Sequence, residues 1–168
     1  MSSLVKALSA IGTGLFAANA AEPLAVGAKL PQVSQKNQEG VSLTLTEVGA
    51  SGWLLVYFYP KADTPGCTKQ ACSLRDAFAT LTEKGVKVLG VSTDSPKAQK
   101  AFREKYQLPF DLLADEDSTI VKAFGVPTTL GFAKRQAFLF KDGVLAWVDL
   151  SASTEEQAAD VLKFIETQ

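Results

Sequence analysis

Histidine is absent from this 168-residue chain, and there are only two cysteines, Cys67 and Cys72, and one methionine. Without an imidazole, Ser–His–Asp and Cys–His mechanisms are excluded, and the commonest zinc ligand is missing. Two thiolates alone do not complete a four-ligand structural zinc site, so no metal is expected. Neither sign of charge is in excess: 17 basic and 18 acidic residues leave a net charge of −1. Nucleic acids and membrane surfaces attract a basic excess, so neither is an expected partner. What is present is ordinary. Hydrophobic residues make up 46% and charged residues 21%, as in a soluble globular chain long enough to bury one core.

The first stretch reads apart from the rest. Lys6 follows a short polar start, Ala7 to Ala18 is uncharged, and Ala18-Asn19-Ala20 gives a small-x-small pattern before charge returns at Glu22. A basic start, an apolar stretch and an A-x-A site together make a secretory signal. The apolar run falls short of the roughly 20 residues of a membrane span. Residues 1–20 are therefore expected to be a signal peptide and residues 21–168 one domain, periplasmic or otherwise exported. An N-terminal extension on a cytoplasmic protein is the alternative.

Beyond that point the pattern alternates between strand and helix. Trp53 to Tyr59 is continuous and apolar between Gly52 and Pro60, as a strand buried on both faces should be. Ala71, Leu74, Phe78 and Leu81 recur at helical spacing, with Gly85 as a stop. Val86 to Val91 reads as a second buried strand. Ser95-Pro96 caps a helix through Tyr106, Phe110 to Leu113 reads as a short strand, and Ser118 to Phe124 as a short helix closed by Gly125. Gln136 to Lys141 and Val144 to Leu150 flank Asp142-Gly143 as a hairpin, and Ser153 with Glu156 forms a capping box before the last helix. Parallel strands joined by helices and closed by an antiparallel hairpin predict an α/β thioredoxin-like fold, a mixed sheet flanked by helices. A flavodoxin-like sheet would need parallel strands where the hairpin lies.

The chemistry gathers at the end of the first strong strand. Pro65 and Gly66 turn the chain, and Cys67 falls in the first turn of the following helix. Free backbone N–H groups and the positive end of the helix dipole there favour thiolate over thiol, which makes a cysteine reactive without histidine. A small buried hydrophobe is the alternative reading of Cys67. Five residues of helix separate Cys67 from Cys72, about 7.5 Å of rise and about 140° of turn, so their Cα atoms lie roughly 8 to 9 Å apart. A disulfide wants less than about 7 Å. The pair cannot bond while both sit in an intact helix.

The run Pro60-Lys61-Ala62-Asp63-Thr64-Pro65-Gly66-Cys67 fits the P-x-x-x-T-x-x-C signature and resembles the peroxiredoxins, thiol peroxidases on a thioredoxin fold. With Tyr57-Phe58-Tyr59 before it and Thr68 and Cys72 after it, it is similar to the Q subfamily, the bacterioferritin comigratory proteins. The resemblance implies that Cys67 is the peroxidatic cysteine and Cys72 the resolving one, paired as an intramolecular disulfide. It implies that Thr64 and Arg135 are catalytic and that Pro60, Thr64 and Arg135 bind the peroxide. It implies a monomer with no metal or organic cofactor, reducing hydrogen peroxide and small organic hydroperoxides and recycled by thioredoxin or a related dithiol protein. Gln70 stands where many members carry Glu, so its supporting role is left open. A thiol–disulfide oxidoreductase or a redox sensor of the same fold is the alternative. The acidic group Asp111, Asp115, Glu116 and Asp117 lacks the spacing of a calcium loop and is expected to serve helix capping around Ser118. Trp53 and Trp147 are expected in the core or on a sheet face.

Overall fold

Leu54 to Phe58 are completely buried, and the strand they form lies in the middle of the molecule. The computed structural model describes residues 22–168, so the expected signal segment lies outside the described residues. In chain order the elements are β1 (Ser34–Lys36), β2 (Ser42–Thr44), α1 (Leu45–Val48), β3 (Trp53–Phe58), α2 (Pro65–Asp76), α3 (Phe78–Glu83), β4 (Val86–Ser92) and α4 (Pro96–Tyr106). They continue with β5 (Asp111–Ala114), α5 (Thr119–Phe124), β6 (Thr128–Thr129), β7 (Phe132–Ala133), β8 (Gln136–Lys141), β9 (Val144–Asp149) and α6 (Gln157–Glu166). The main sheet runs β5-β4-β3-β8-β9. β3 pairs in parallel with β4 and antiparallel with β8, and β9 completes the hairpin. The fold is the expected mixed, thioredoxin-like sheet.

Side chains alternate across β3 and so divide the core in two. Leu55 and Tyr57 face a layer that includes Cys67, Ala71 and Leu74 of α2, Phe102 of α4 and Val161 of α6. Leu54, Val56 and Phe58 face Leu45 of α1 and Ile120, Val121 and Phe124 of α5. Phe58, Phe124 and Phe138 meet edge to face with centroids 5.1–5.6 Å apart. Burying such a side chain is worth about 1.5–3 kcal/mol, so the sheet is a firm base for the loop at its end.

Several local expectations need correction. The helical spacing from Ala71 to Leu81 covers two helices, because Ala77 (φ −91°, ψ 0°) ends α2 and the chain restarts as α3. The offset seats Phe78 against Phe110, centroids 6.0 Å apart. Ser118 does not cap α5 with its side chain, and its own φ is +60°. The capping comes, as expected, from the acidic residues: the buried Asp115 carboxylate accepts the Ile120 and Val121 N–H groups and Asp117 accepts that of Thr119, while Asp111 instead accepts Gln38 Nε2. The Ser153 hydroxyl accepts the Glu155 and Glu156 N–H groups, yet regular helix begins only at Gln157. The Asp142-Gly143 turn is as expected, with φ positive at both residues, and Asp142 also accepts the Gly52 N–H. No group of three or more potential metal ligands occurs among the described residues. Among them, too, no helix is long and apolar enough to cross a membrane.

Candidate active site

Beyond β3 the chain leaves the sheet through Tyr59 and Pro60 and must reverse into α2 within a few residues. Three contacts hold that turn. The Ala62 N–H donates to the Asp94 carboxylate at 2.8 Å, and Asp94 is itself bonded by the Ser92 hydroxyl at 2.7 Å. Asp63 sits at φ +58°, where its short polar side chain is tolerated. Its carboxylate accepts Lys105 Nζ at 2.8 Å and the Tyr106 hydroxyl at 2.6 Å, both from α4. The Thr64 hydroxyl donates to the Lys61 carbonyl at 2.8 Å. It makes no side-chain cap bond to the helix, so capping does not account for this threonine. Hydrogen bonds from Lys105 first, then from Tyr106, hold the Asp63 carboxyl below its usual range, and Asp63 in turn raises Lys105.

Thr64 is the extended N-cap of α2, Pro65 opens the helix, and Cys67 occupies its third position. The Thr68 N–H already bonds the Thr64 carbonyl at 2.8 Å, whereas the Cys67 N–H has no acceptor among the described residues. It is one of the free donors that a helix start leaves. The Cys67 side chain is 2% exposed, so only a slender group reaches its sulfur. Arg135, entering from the residue before β8, places Nη2 3.5 Å from Cys67 Sγ. Its Nη1 donates a short hydrogen bond to Gln70 Oε1. No carboxylate pairs with Arg135 among the described residues. The guanidinium also passes close to Gly66, where a Cβ would lie 3.1 Å from Nη2.

Pro60 and Arg135 also line a cleft of about 350 Å³ with Thr129, Leu130, Phe132, Ala133 and Lys134. Leu130 is 92% exposed on its rim, and Lys61 Nζ stands 5.8 Å from the centre of the Phe132 ring. Cys72 is half-buried farther along α2, and both thiols are free. Thus Cys67, Arg135, Thr64 and Pro60 gather at one end of the sheet, while Cys72 is held away by helix geometry. Lys69 and Arg75 face elsewhere. Lys69 pairs with Glu155 at 3.1 Å, and Arg75 bonds Asp76 and the Tyr106 carbonyl.

Two further residues complete the site, one named from the sequence with its role open and one missed. Gln70 follows Cys67 by three residues, a spacing that puts both on one helix face, so its role was partly legible. Gln157 touches Gln70 from 87 positions away, at 3.0 Å, and carries no local signal at all.

The family model described as AhpC/TSA matches residues 26–148, well over half of the chain. The chain belongs to the AhpC/TSA family. A chloroplastic peroxiredoxin Q of Gentiana triflora is 38% identical over 145 residues, covering 84% of this chain and 66% of that protein. The matched region thus spans just under two thirds of that relative's length. Among solved structures, peroxidoxin BcpB of Mycobacterium tuberculosis superposes with a TM-score of 0.79 at 30% identity, covering 84% of this chain and 96% of that one. The bacterioferritin comigratory protein of Xanthomonas campestris, whose structures concern alkyl peroxide reduction, gives 0.77 at 28% identity, covering 85% and 98%. The resemblance to Q-type peroxiredoxins is therefore borne out over most of the described residues. Within this peroxiredoxin, the P-x-x-x-T-x-x-C signature is the reversing turn and first helical turn just described.

Proposed function

We propose that this protein is a thiol peroxidase that reduces hydrogen peroxide and small organic hydroperoxides. The observation that carries the reading is the guanidinium of Arg135 at 3.5 Å from Cys67 Sγ, at a helix start whose Cys67 N–H is free. The thiolate of Cys67 attacks the terminal peroxide oxygen. The S–O bond forms, the O–O bond breaks, and the leaving hydroxide or alkoxide takes up a proton, leaving Cys67 as sulfenic acid. Arg135 and the Cys67 N–H stabilise the negative charge that moves onto the leaving oxygen, the task of preorganised donors in general. The Thr64 hydroxyl, at the N-cap of the helix that carries Cys67, orients the peroxide, and Pro60 walls the cleft against water. Fitting its neighbours, the substrate's oxygen end is slender, and any organic group extends along Pro60, Leu130 and Phe132.

The cycle closes at Cys72. Its thiol attacks the sulfenic sulfur, the Cys67–Cys72 bond forms and water leaves. Because an intact helix keeps the sulfurs apart, the first turns of α2 unwind for this step. Each backbone hydrogen bond lost costs about 0.5–1.5 kcal/mol, a sum the sheet beneath easily withstands. Unwinding also exposes the disulfide to a thioredoxin-like dithiol protein, whose two thiols are oxidised as the disulfide is reduced. The protein works as a monomer in this scheme, and residues 1–20 direct its export to an oxidising compartment, cytoplasmic residence being the alternative.

A peroxide-consumption assay with a dithiol donor tests the reading. Sustained consumption that disappears in Cys67→Ser supports it. Disulfide exchange without peroxide loss contradicts it in favour of an oxidoreductase, and oxidation without turnover contradicts it in favour of a sensor. N-terminal sequencing of the secreted or cell-bound protein decides the processing at Ala20.

A further inference from the structure

Arg135 does not contact Cys67 alone. Its second nitrogen bonds Gln70 Oε1, Gln70 Nε2 donates to Gln157 Oε1 at 3.0 Å, and both glutamines are completely buried. The chain of contacts runs from the thiol through α2 to the first residue of α6. Its polarity is forced. A guanidinium has only donors, so Gln70 must turn its oxygen to Arg135 and its nitrogen to Gln157, which must then accept. Gln157 Nε2 is left buried with no acceptor, one of three such buried polar atoms among the described residues. A buried unpaired donor is costly, and this one exists because Gln157 offers its oxygen inward.

We propose that Gln157 is a positioning residue for the peroxide reaction, fixing Gln70 so that Arg135 stays aimed at Cys67. The inference rests on the thiol-peroxidase reading above. Both holders are neutral amides, so the position of the cation is fixed without a carboxylate competing for its charge. When Cys67 ionises, thiolate and guanidinium form a balanced pair. A structural tie between α2 and α6 is already supplied by the apolar layer that Ala71 and Leu74 share with Ala158 and Val161, and the Ser73 hydroxyl holds the segment just before α6 by donating to the Glu155 carbonyl at 2.7 Å. The Gln70–Gln157 bond is therefore spare for folding and specific to the site.

The test is a double-mutant cycle read in the single-turnover rate of Cys67 with hydrogen peroxide. Gln157→Met keeps the volume, removes the orphaned Gln157 donor and leaves Gln70 Nε2 without its acceptor, so the number of buried unpaired donors, and with it the fold and Tm, should change little. The expected result is a roughly three- to tenfold slower reaction, the worth of one positioning hydrogen bond. In an Arg135→Met background the same substitution should have no further effect, because Gln157 acts only through that guanidinium. Should Gln157→Met not fold, Gln157→Asn, which draws the amide back by one methylene, should give a smaller slowing that also vanishes without Arg135. A rate equal to the parent's overturns the proposal, and so does an equal slowing in both backgrounds, which marks a merely structural role. If the parent itself shows no oxidation of Cys67 by peroxide, the thiol-peroxidase reading fails instead.

Discussion

Two sets of polar contacts hold the turn that carries Cys67, and they are built on opposite lines. On the outer side Asp63, Lys105 and Tyr106 form a charged clamp in which Asp63 and Lys105 are exposed. On the inner side Arg135, Gln70 and Gln157 form a relay whose two amides are fully buried and whose single charge faces the thiol. Exposed ion pairs are worth little and are screened by salt. Buried hydrogen bonds are costly to break and fix geometry. The outer clamp thus only holds the loop in place, while the inner relay sets the chemistry.

The comparison is sharpened most by Arg135→Met. Loss of a preorganised cation at a developing oxyanion costs about 10²–10³ in rate. Stopped-flow reaction of the reduced protein with peroxide should show a fall of that order, with the circular dichroism spectrum unchanged. A smaller effect is expected from Gly66→Ala. The new Cβ would meet Arg135 Nη2 at 3.1 Å and push it by a few tenths of an ångström, while alanine favours helix by up to about 1 kcal/mol over glycine. Slower peroxide reduction in a protein of equal or higher Tm is the expected outcome. Next comes Asp94→Ala, which removes the acceptor for both the Ala62 N–H and the Ser92 hydroxyl. Thermal melts should show a loss of about 1–3 kcal/mol, with a peroxide rate lowered only a few-fold.

The smallest effect belongs to Asp63→Asn, expected within about twofold of the parent. The pH dependence of the clamp gives it a second check. Asp63 is held below the ordinary aspartate value of about 3.9, so its contribution is complete above that value and is lost as pH falls through the lowered one. Lys105 is raised, so its part is complete below about 10.4 and is lost only as pH rises through the raised value. Between those limits the clamp does not titrate. The pH profile of Cys67 alkylation from about pH 5 to 9 should therefore be the same in Asp63→Asn and the parent. A changed profile would mean that the outer clamp acts on the thiol and would end the distinction.

Much of this architecture was legible in the sequence. The unbroken apolar run of β3, the Ser95-Pro96 start of α4 and the Asp142-Gly143 turn each follow from local chemistry, and the structure has them where that chemistry puts them. The strand-to-helix turn at Pro65-Gly66-Cys67 was equally plain. Contacts across the fold were not. Helical periodicity ran through Ala77 because nothing in the sequence there forbids helix, and the break follows from where Phe78 packs. The acidic residues before α5 were read as capping in kind, but their partners were clear only in three dimensions. Gln157 belongs to the same class, since its neighbour at the site is set by how α6 lies on α2.

The account stands most directly on the intact mass of the protein after one equivalent of peroxide, followed by peptide mapping without reductant. A monomer lighter by two hydrogens is expected, with the loss located in a disulfide joining Cys67 to Cys72. Under the same treatment Cys72→Ser should gain one oxygen on Cys67. A parent chain that stays unmodified, carries its oxygen on Cys72, or appears as a disulfide-linked dimer would contradict it.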